Sequence, residues 1–122
     1  MPETANQNLG RLGERLALEH YERLGFVLLA RNYRTLAGEI DVVVSDHRTT
    51  VFVEVKTRRA GGLDPVLSLT PLKRRRMRAL AAAWLADHPA RPRTPALRID
   101  AVAIVVDARG GLVSLEQFED VA

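Results

Sequence analysis

Apolar residues form two nearly continuous runs in the first half of the chain, one within Glu39–Ser45 and one within Thr50–Thr57. Most members of these runs are β-branched, which is typical of strands whose two faces are both covered. We predict a strand at each run, with a short polar turn between them that makes the pair a hairpin. Related patterns predict strands at Phe26–Tyr33 and Leu97–Val106 and a weaker edge strand at Leu112–Phe118.

Apolar residues recur with helical spacing over about Asn8–Leu24, which predicts a first helix. Gly25 is expected to end it. The small residues Gly10, Gly13 and Ala17 form one strip along it. A strip without bulky side chains predicts that this helix lies close to the sheet.

The second predicted helix begins after Thr70, a favourable N-cap residue, with Pro71 at its first position, and ends at His88-Pro89. The side facing the sheet is predicted from its apolar stripe, which consists of Met77, Leu80, Ala81, Trp84 and Leu85. Before it, the segment Arg58–Leu69 is predicted to be a mobile loop that closes over substrate. The element order is therefore α-β-β-β-α-β-β, an α/β fold with a sheet of four to five strands flanked by helices.

The length of 122 residues predicts a single domain, residues 1–122, with residues 1–7 as a flexible N-terminal tail. No apolar run approaches the roughly 20 residues that span a bilayer, so we expect no membrane association. The first residues are polar and resemble no signal peptide. The absence of cysteine excludes disulfides and thiolate chemistry and fits a cytoplasmic protein.

Acidic residues interrupt both apolar runs: Asp41 lies in the second predicted strand, and Glu54, followed by Lys56, lies in the third. An unpaired buried carboxylate costs several kcal/mol or becomes protonated, so these residues need a partner. The hairpin would bring Asp41 near Glu54, within reach of one divalent cation, with Lys56 beside it. The simpler explanations are an aspartate near a strand end and an exposed salt bridge between Glu54 and Lys56.

Two further carboxylates are candidates for the same site. Glu14 borders the small-residue strip of the first helix, although its neighbours would also suit an ordinary surface residue. Glu39 shares a strand face with Asp41 but lies further out. Asp100 is interpreted as structural, bonded to a loop or to Arg31. The three histidines show no ligand spacing and receive no role.

Positive charge is concentrated in the segment Lys56–Arg78, which holds eight Lys or Arg against Asp64 alone, a net charge of +7. The rest of the chain must therefore carry −4 to give the overall +3. Such a run beside the proposed metal site suits a polyanion. By helix phase Lys73 points back toward the sheet. The predicted nucleic-acid contacts are Arg58, Arg59, Lys73, Arg74, Arg75 and Arg78. A solvated helix face with a lysine at its start would give the same pattern.

The order of Asp41 and then Glu54-Val55-Lys56 on the neighbouring strand resembles the PD-(D/E)xK nuclease core, the restriction-endonuclease-like fold. More narrowly, the chain resembles the YraN-type family of small bacterial predicted endonucleases over about residues 8–106. Ile40 stands where the name of the superfamily places proline. The matching segments are Gly10-Arg11-Leu12-Gly13-Glu14, Arg31-Asn32-Tyr33-Arg34, Gly38-Glu39-Ile40-Asp41, Phe52-Val53-Glu54-Val55-Lys56-Thr57-Arg58, Lys73 at a helix start, and Arg98-Ile99-Asp100-Ala101-Val102.

This resemblance implies a metal-dependent endonuclease with a central mixed sheet. Asp41 and Glu54, with the carbonyl of Val55 and with Glu14, would bind Mg²⁺ or Mn²⁺. Lys56 would orient the attacking water or neutralise charge at the phosphate, so Asp41, Glu54 and Lys56 are the expected catalytic residues. Structure-specific nucleases of this fold act on branched or junction DNA and commonly work as homodimers.

Two other functions remain open from the sequence. A non-catalytic nucleic-acid-binding or scaffold module could keep the nuclease fold and its metal residues. A ribonuclease is the other, because no residue here is an evident reader of a 2′-hydroxyl. The low aromatic content of 5% argues against a protein that binds single strands by base stacking, which favours duplex or branched DNA.

Overall fold

The structure is a computed structural model that describes residues 4–62 and 69–122. Within these ranges the elements follow the predicted order. They are α1 (Ala5–Arg23), β1 (Val27–Thr35), β2 (Gly38–Ser45), β3 (Thr49–Arg59), α2 (Pro71–Asp87), β4 (Ala96–Val106) and β5 (Leu112–Phe118). In this part of the chain neither helix combines the length and the apolar character needed to cross a membrane.

The five strands form one mixed sheet in the order β1-β2-β3-β4-β5. Neighbouring strands are antiparallel except β3 and β4, which are parallel. A parallel pair requires a crossover connection, and α2 lies in the segment that provides it. The mixed α/β fold predicted from the sequence is thus confirmed.

The two helices cover opposite faces of the sheet, because successive side chains of a strand point to opposite sides. Val42 and Val44 pack in the core beneath α1, whereas Val43, between them, packs in the core beneath α2. This explains why the central strands are apolar at almost every position. From the helices, Ala17 and Tyr21 complete the first core and residues such as Trp84 complete the second.

The start of α1 and the end of β3 differ from their predicted positions. Helix α1 begins at Ala5 rather than Asn8, because Thr4 and Gln7 form a capping box in which each side chain accepts from the other residue's backbone N–H. The expectation that residues 4–7 form a flexible tail is therefore wrong. Strand β3 continues through Arg58 and Arg59, which pair with β4 instead of opening the predicted loop. Much of that loop, residues 63–68, lies outside the described residues.

The close approach of α1 to the sheet depends on Gly13. A Cβ atom built at this position would lie 1.7 Å from Thr57 Oγ1 and 2.8 Å from Thr57 Cβ, so the helix backbone rests directly on β3. Gly10, one turn earlier, has nothing within 4 Å of the corresponding position. Gly13 thus fixes the distance between α1 and the sheet, while Gly10 does not.

Gly13→Ala should therefore destabilise the protein, and Gly10→Ala should not. The added methyl group at Gly13 forces α1 away from Thr57, and such overpacking typically costs about 1–3 kcal/mol. At Gly10 the better helix propensity of alanine should raise the free energy of unfolding by up to roughly 1 kcal/mol. Urea unfolding of both variants measures the difference, and equal effects would show that the helix is not fixed by this contact.

Asp100 is a fully buried carboxylate with a complete set of donors. Its structural interpretation is consistent with this environment, but Arg31, the partner suggested from the sequence, does not bond to it in the described structure. The guanidinium group of Arg98 binds Asp100 in a bidentate manner and neutralises its charge. Burial, and then the hydrogen bond to Asp100, raise the pKa of the Tyr21 phenol. The donors are Tyr21 Oη at 2.7 Å, Arg98 Nε at 2.8 Å, Arg98 Nη2 at 3.0 Å, Gln117 Nε2 at 3.1 Å and the backbone N–H of Asp120 at 3.1 Å.

Asp100→Asn should lower the free energy of unfolding by about 3–5 kcal/mol, because Arg98 then loses its buried, bidentate counter-ion and an amide N–H₂ faces other donors. Glu119→Gln is the matched control. Glu119 is an exposed carboxylate 3.8 Å from Arg98, and the loss of such a pair costs about 0–1 kcal/mol. Chemical unfolding of both variants tests the assignment; a small effect at Asp100 would contradict it.

Candidate metal centre

Strands β2 and β3 separate where the acidic residues lie. Their last paired residues are Val42 and Val53; beyond them β2 runs beside β1, and β3 runs beside β4. Asp41 and Glu54 are the first residues past this fork. Because β3 has lost its neighbour on that side, its backbone N–H groups there need other acceptors.

The carboxylate of Asp41 supplies one of these acceptors. Its Oδ2 accepts from the backbone N–H of Val55 at 2.7 Å, which holds the side chain inside the fork. Burial raises the pKa of Asp41 to about 7, and although the Val55 N–H opposes this shift, Glu39 and Glu14 add to it. Asp41 is thus a carboxyl group that resists ionisation unless a cation comes close.

Three carboxylates meet at the fork. One oxygen from each of Glu14, Glu39 and Asp41 lies within 4.8 Å of the other two. Burial, then the charge of Glu39, raises the pKa of Glu14, although the charges of Arg31 and Arg11 oppose this shift. Glu39 is exposed and pairs with Arg34 Nε at 2.9 Å. Converging carboxylate oxygens are the donor set that hard divalent cations prefer.

Asn32 orients one member of this group. With its NH₂ group turned toward α1, its amide donates to both carboxylate oxygens of Glu14, at 3.1 and 3.2 Å. Asn32 adopts a positive φ of 51° within β1, a conformation that asparagine tolerates better than most residues. No role is predicted for Asn32 from the sequence, since a left-handed residue inside a strand leaves no periodic signal.

Glu54 lines the same cavity as these carboxylates but has a different partner. Its Oε1 lies 3.0 Å from Lys73 Nζ, so Lys73 does point back toward the sheet, as helix phase predicted. The other oxygen, Oε2, is buried and makes no hydrogen bond with the described part of the chain. The close three-carboxylate group therefore contains Glu14 and Asp41 from the expected ligand set, with Glu39 in the place expected for Glu54.

The cavity at the fork has a volume of about 530 Å³ and lies between α1, α2 and the ends of β2 and β3. Lys56 and Val55 line it, together with Arg76, which is not among the predicted nucleic-acid contacts. Arg76 follows Lys73 by three positions, so the helical period carried a signal that could have found it. Lys56 is exposed and makes no ion pair with another described residue.

The remaining basic residues are distributed around this cavity rather than in it. Arg58 and Arg59 extend from the end of β3, and Arg58 is partly buried. Three arginines on the exposed side of α2, Arg74, Arg75 and Arg78, do not line the carboxylate cavity. They lie on the element that forms one of its walls, as an outer contact surface would.

Residues 13–104 match the sequence model of a family described as uncharacterised protein family UPF0102. The chain belongs to this family. The match confirms the resemblance to the YraN-type family and spans every acidic residue of the fork, together with Lys56 and Lys73. The family description states no reaction, so a function must be inferred from the site.

Curated UPF0102 proteins from several bacteria align along most of this chain. The protein of Corynebacterium efficiens is 43% identical over 119 residues, covering 97% of this chain and 94% of its own. That of Roseiflexus castenholzii is 48% identical over 111 residues, 88% of this chain and 87% of its own. The protein of Acidothermus cellulolyticus is 50% identical over 88 residues, 71% and 67% respectively.

Without metal, Asp41→Asn should stabilise the protein more at pH 8 than at pH 5. The folded-state pKa of about 7 lies above the ordinary value of 3.8. The protonated carboxyl's contribution to stability is thus full below pH 3.8 and is lost as pH rises to 7. Asparagine keeps an acceptor for Val55 and removes the charge, so its advantage should grow by on the order of 1–3 kcal/mol.

Unfolding in EDTA at the two pH values measures this change. Glu22→Gln is the control, because Glu22 lies on the exposed side of α1 and outside the carboxylate group. If the difference between Asp41→Asn and the wild type is the same at both pH values, the carboxyl of Asp41 is not held in an unfavourable environment.

Proposed function

We propose that this protein is a metal-dependent endonuclease that hydrolyses phosphodiester bonds of DNA. The observation that carries the proposal is the group of Glu14, Glu39 and Asp41 at the fork, in one cavity with Lys56. Asp41 and Glu14 have raised pKa values and lie in a cleft beside a lysine, which is a common arrangement at functional sites.

The residues at the fork fit a divalent cation. Glu14, Glu39 and Asp41 offer oxygen ligands, and Glu54 and Val55 line the same cavity. The buried Oε2 of Glu54 has no hydrogen-bond partner among the described residues. Mg²⁺ or Mn²⁺ bound there would supply positive charge for the scissile phosphate and lower the pKa of an attacking water. The ligands that we propose are Glu14, Asp41 and Glu54 with the Val55 carbonyl, now joined by Glu39.

Lys56 is the residue best placed to act on the reacting groups. Lys56 lines the cavity and forms no ion pair with the described residues, so its ammonium group is available to orient the water or neutralise charge at the phosphate. Lys73 is held by Glu54 at 3.0 Å and can contact a phosphate oxygen once Glu54 binds a cation. Hydrolysis by this route leaves a 5′-phosphate and a 3′-hydroxyl.

Nucleic acid is the proposed substrate because the positive residues lie on the elements around the cavity. Arg58 and Arg59 at the end of β3 would grip the phosphate backbone outside the reacting centre. So would Arg74, Arg75 and Arg78 on α2. From the resemblance to nucleases of this fold we also infer branched or junction DNA as substrate and a homodimer as the assembly. The cysteine-free composition fits action in the cytoplasm.

The Glu54–Lys73 ion pair favours one competing function, a module that binds nucleic acid without cutting it. A carboxylate neutralised by lysine needs no cation, and the remaining acidic residues could then serve a metal that is purely structural. Catalysis and structural metal binding predict different behaviour of Lys56, which is not a metal ligand in either case.

The decisive test is cleavage of a labelled panel of duplex, single strand, flap, four-way junction and RNA with Mg²⁺ or Mn²⁺. Lys56→Ala should lower turnover by about 10²-fold or more while DNA affinity changes by less than about threefold. Asp41→Asn should abolish both cutting and the rise in unfolding temperature that bound metal gives the wild type. Glu22→Gln should cut as the wild type does.

The outcomes separate the two functions. Metal-dependent cutting that is lost in both site variants establishes the nuclease and identifies its substrate. If the wild type binds DNA and metal but cuts no member of the panel, the non-catalytic module is the correct assignment. Cutting that survives Lys56→Ala would show that the lysine does not participate and would contradict the proposed mechanism.

A further inference from the structure

A second cleft lies on the other side of Glu14 from the carboxylate cavity. It has a volume of about 550 Å³ and is formed by α1 and β1. Arg11 and Arg15, four positions apart on α1, line it together with Arg31 and Asn32 of β1. Glu14 borders both cavities, so this cleft adjoins the proposed metal centre directly.

The cleft is strongly positive for its size. Three arginines line it, and its carboxylate, Glu14, turns both oxygens toward the Asn32 amide. The charges of Arg31 and Arg11 act on Glu14. Arg15 pairs with Glu19 at 4.0 Å, an exposed contact of the kind that contributes little and yields to a stronger partner.

We propose that this cleft is a phosphate-binding subsite for the nucleic-acid strand that is cut at the fork. The proposal rests on the nuclease function proposed above and goes beyond it by assigning a second group of backbone contacts, from Arg11, Arg15 and Arg31. The planar guanidinium group binds phosphate oxygens in a bidentate manner, so three arginines lining one cleft suit a phosphate better than a neutral ligand.

The position of the cleft explains how an acidic cluster receives a polyanion. Glu14, Glu39 and Asp41 would repel DNA unless positive groups flank them. On the side of α2, Lys73 and Arg76 line the carboxylate cavity. On the side of β1, the arginine cleft provides the matching charge, so a strand could cross the fork with one phosphate at the carboxylates and its neighbour among the arginines.

The subsite is tested by the salt dependence of DNA binding, measured in EDTA with the full chain so that no cutting occurs. Arg15→Ala/Arg31→Ala removes two proposed contacts. The slope of log Kobs against log salt should become shallower by about 0.9–1.8, since each phosphate contact contributes about 0.9. Thermal unfolding confirms that the variant is folded, and Arg15→Lys/Arg31→Lys should restore most of the slope because the charge is retained.

Arg23→Ala/Arg48→Ala is the charge-matched control. Arg23 lies on α1 and pairs with the same Glu19, at 3.9 Å, with a side chain 71% exposed against 63% for Arg15. Arg48 lies in the β2–β3 turn, at the end of the hairpin remote from the fork. If both double variants lose the same slope, the effect is one of net charge and the subsite does not exist.

The phosphate could be an internal backbone group or a free 5′-terminal phosphate, and three DNA forms distinguish these sources. Equal loss of slope on a closed circle, a linear duplex with 5′-phosphates and one with 5′-hydroxyls identifies the backbone. A loss confined to the 5′-phosphorylated duplex identifies the terminus. No loss on any form overturns the proposal, even where the wild type cuts DNA. Conversely, a slope loss in a protein that never cuts would keep the subsite and reject the nuclease.

Discussion

The separation of β2 from β3 after Val42 and Val53 is the constraint on which the candidate site depends. If β2 and β3 stayed paired beyond these residues, the backbone N–H groups of β3 would bond to β2, as they do in the apolar part of the hairpin. The fork instead exposes the N–H of Val55, and the Asp41 carboxylate accepts its hydrogen bond. A cavity between the helices follows from the same divergence, because no strand fills the space between the two arms. The acidic group is therefore a consequence of the topology as much as of the residues.

Two buried aspartates show how differently the fold treats a carboxylate. Asp100 is fully buried, but five hydrogen bonds and the Arg98 charge satisfy it, so it needs no further partner. Asp41 receives one backbone N–H and has two other carboxylates for neighbours. Hydrogen bonds and an opposite charge compensate the cost of burying Asp100, but they do not compensate the cost of burying Asp41. This difference is the physical basis for assigning a ligand to the fork alone.

The sequence predicted the element order and most strand positions because each central strand is buried on both faces and helix α2 has a clear start at Thr70 and Pro71. It also placed Asp41 and Glu14 near one another. Glu39 is a further candidate from the sequence because it shares a strand face with Asp41. What the sequence could not predict depends on the path of the backbone past the fork: Glu54 pairs with Lys73, and Glu39 rather than Glu54 joins the close carboxylate group. The alternation of side chains along a strand carries no information about the angle at which two strands diverge.

The distribution of charge also supports a functional site at the fork. Counted along the chain, the positive residues concentrate from Lys56 onward, and the first third looks unremarkable in charge. Folding changes this, because α1 and β1 bring Arg11, Arg15 and Arg31 to one cleft although twenty positions separate the outer two. The acidic fork is then flanked by positive residues on both sides, as a site that must hold a cation and still admit a polyanion requires. Neither half of that arrangement would serve without the other, since carboxylates alone repel phosphate and arginines alone bind it without a reacting centre.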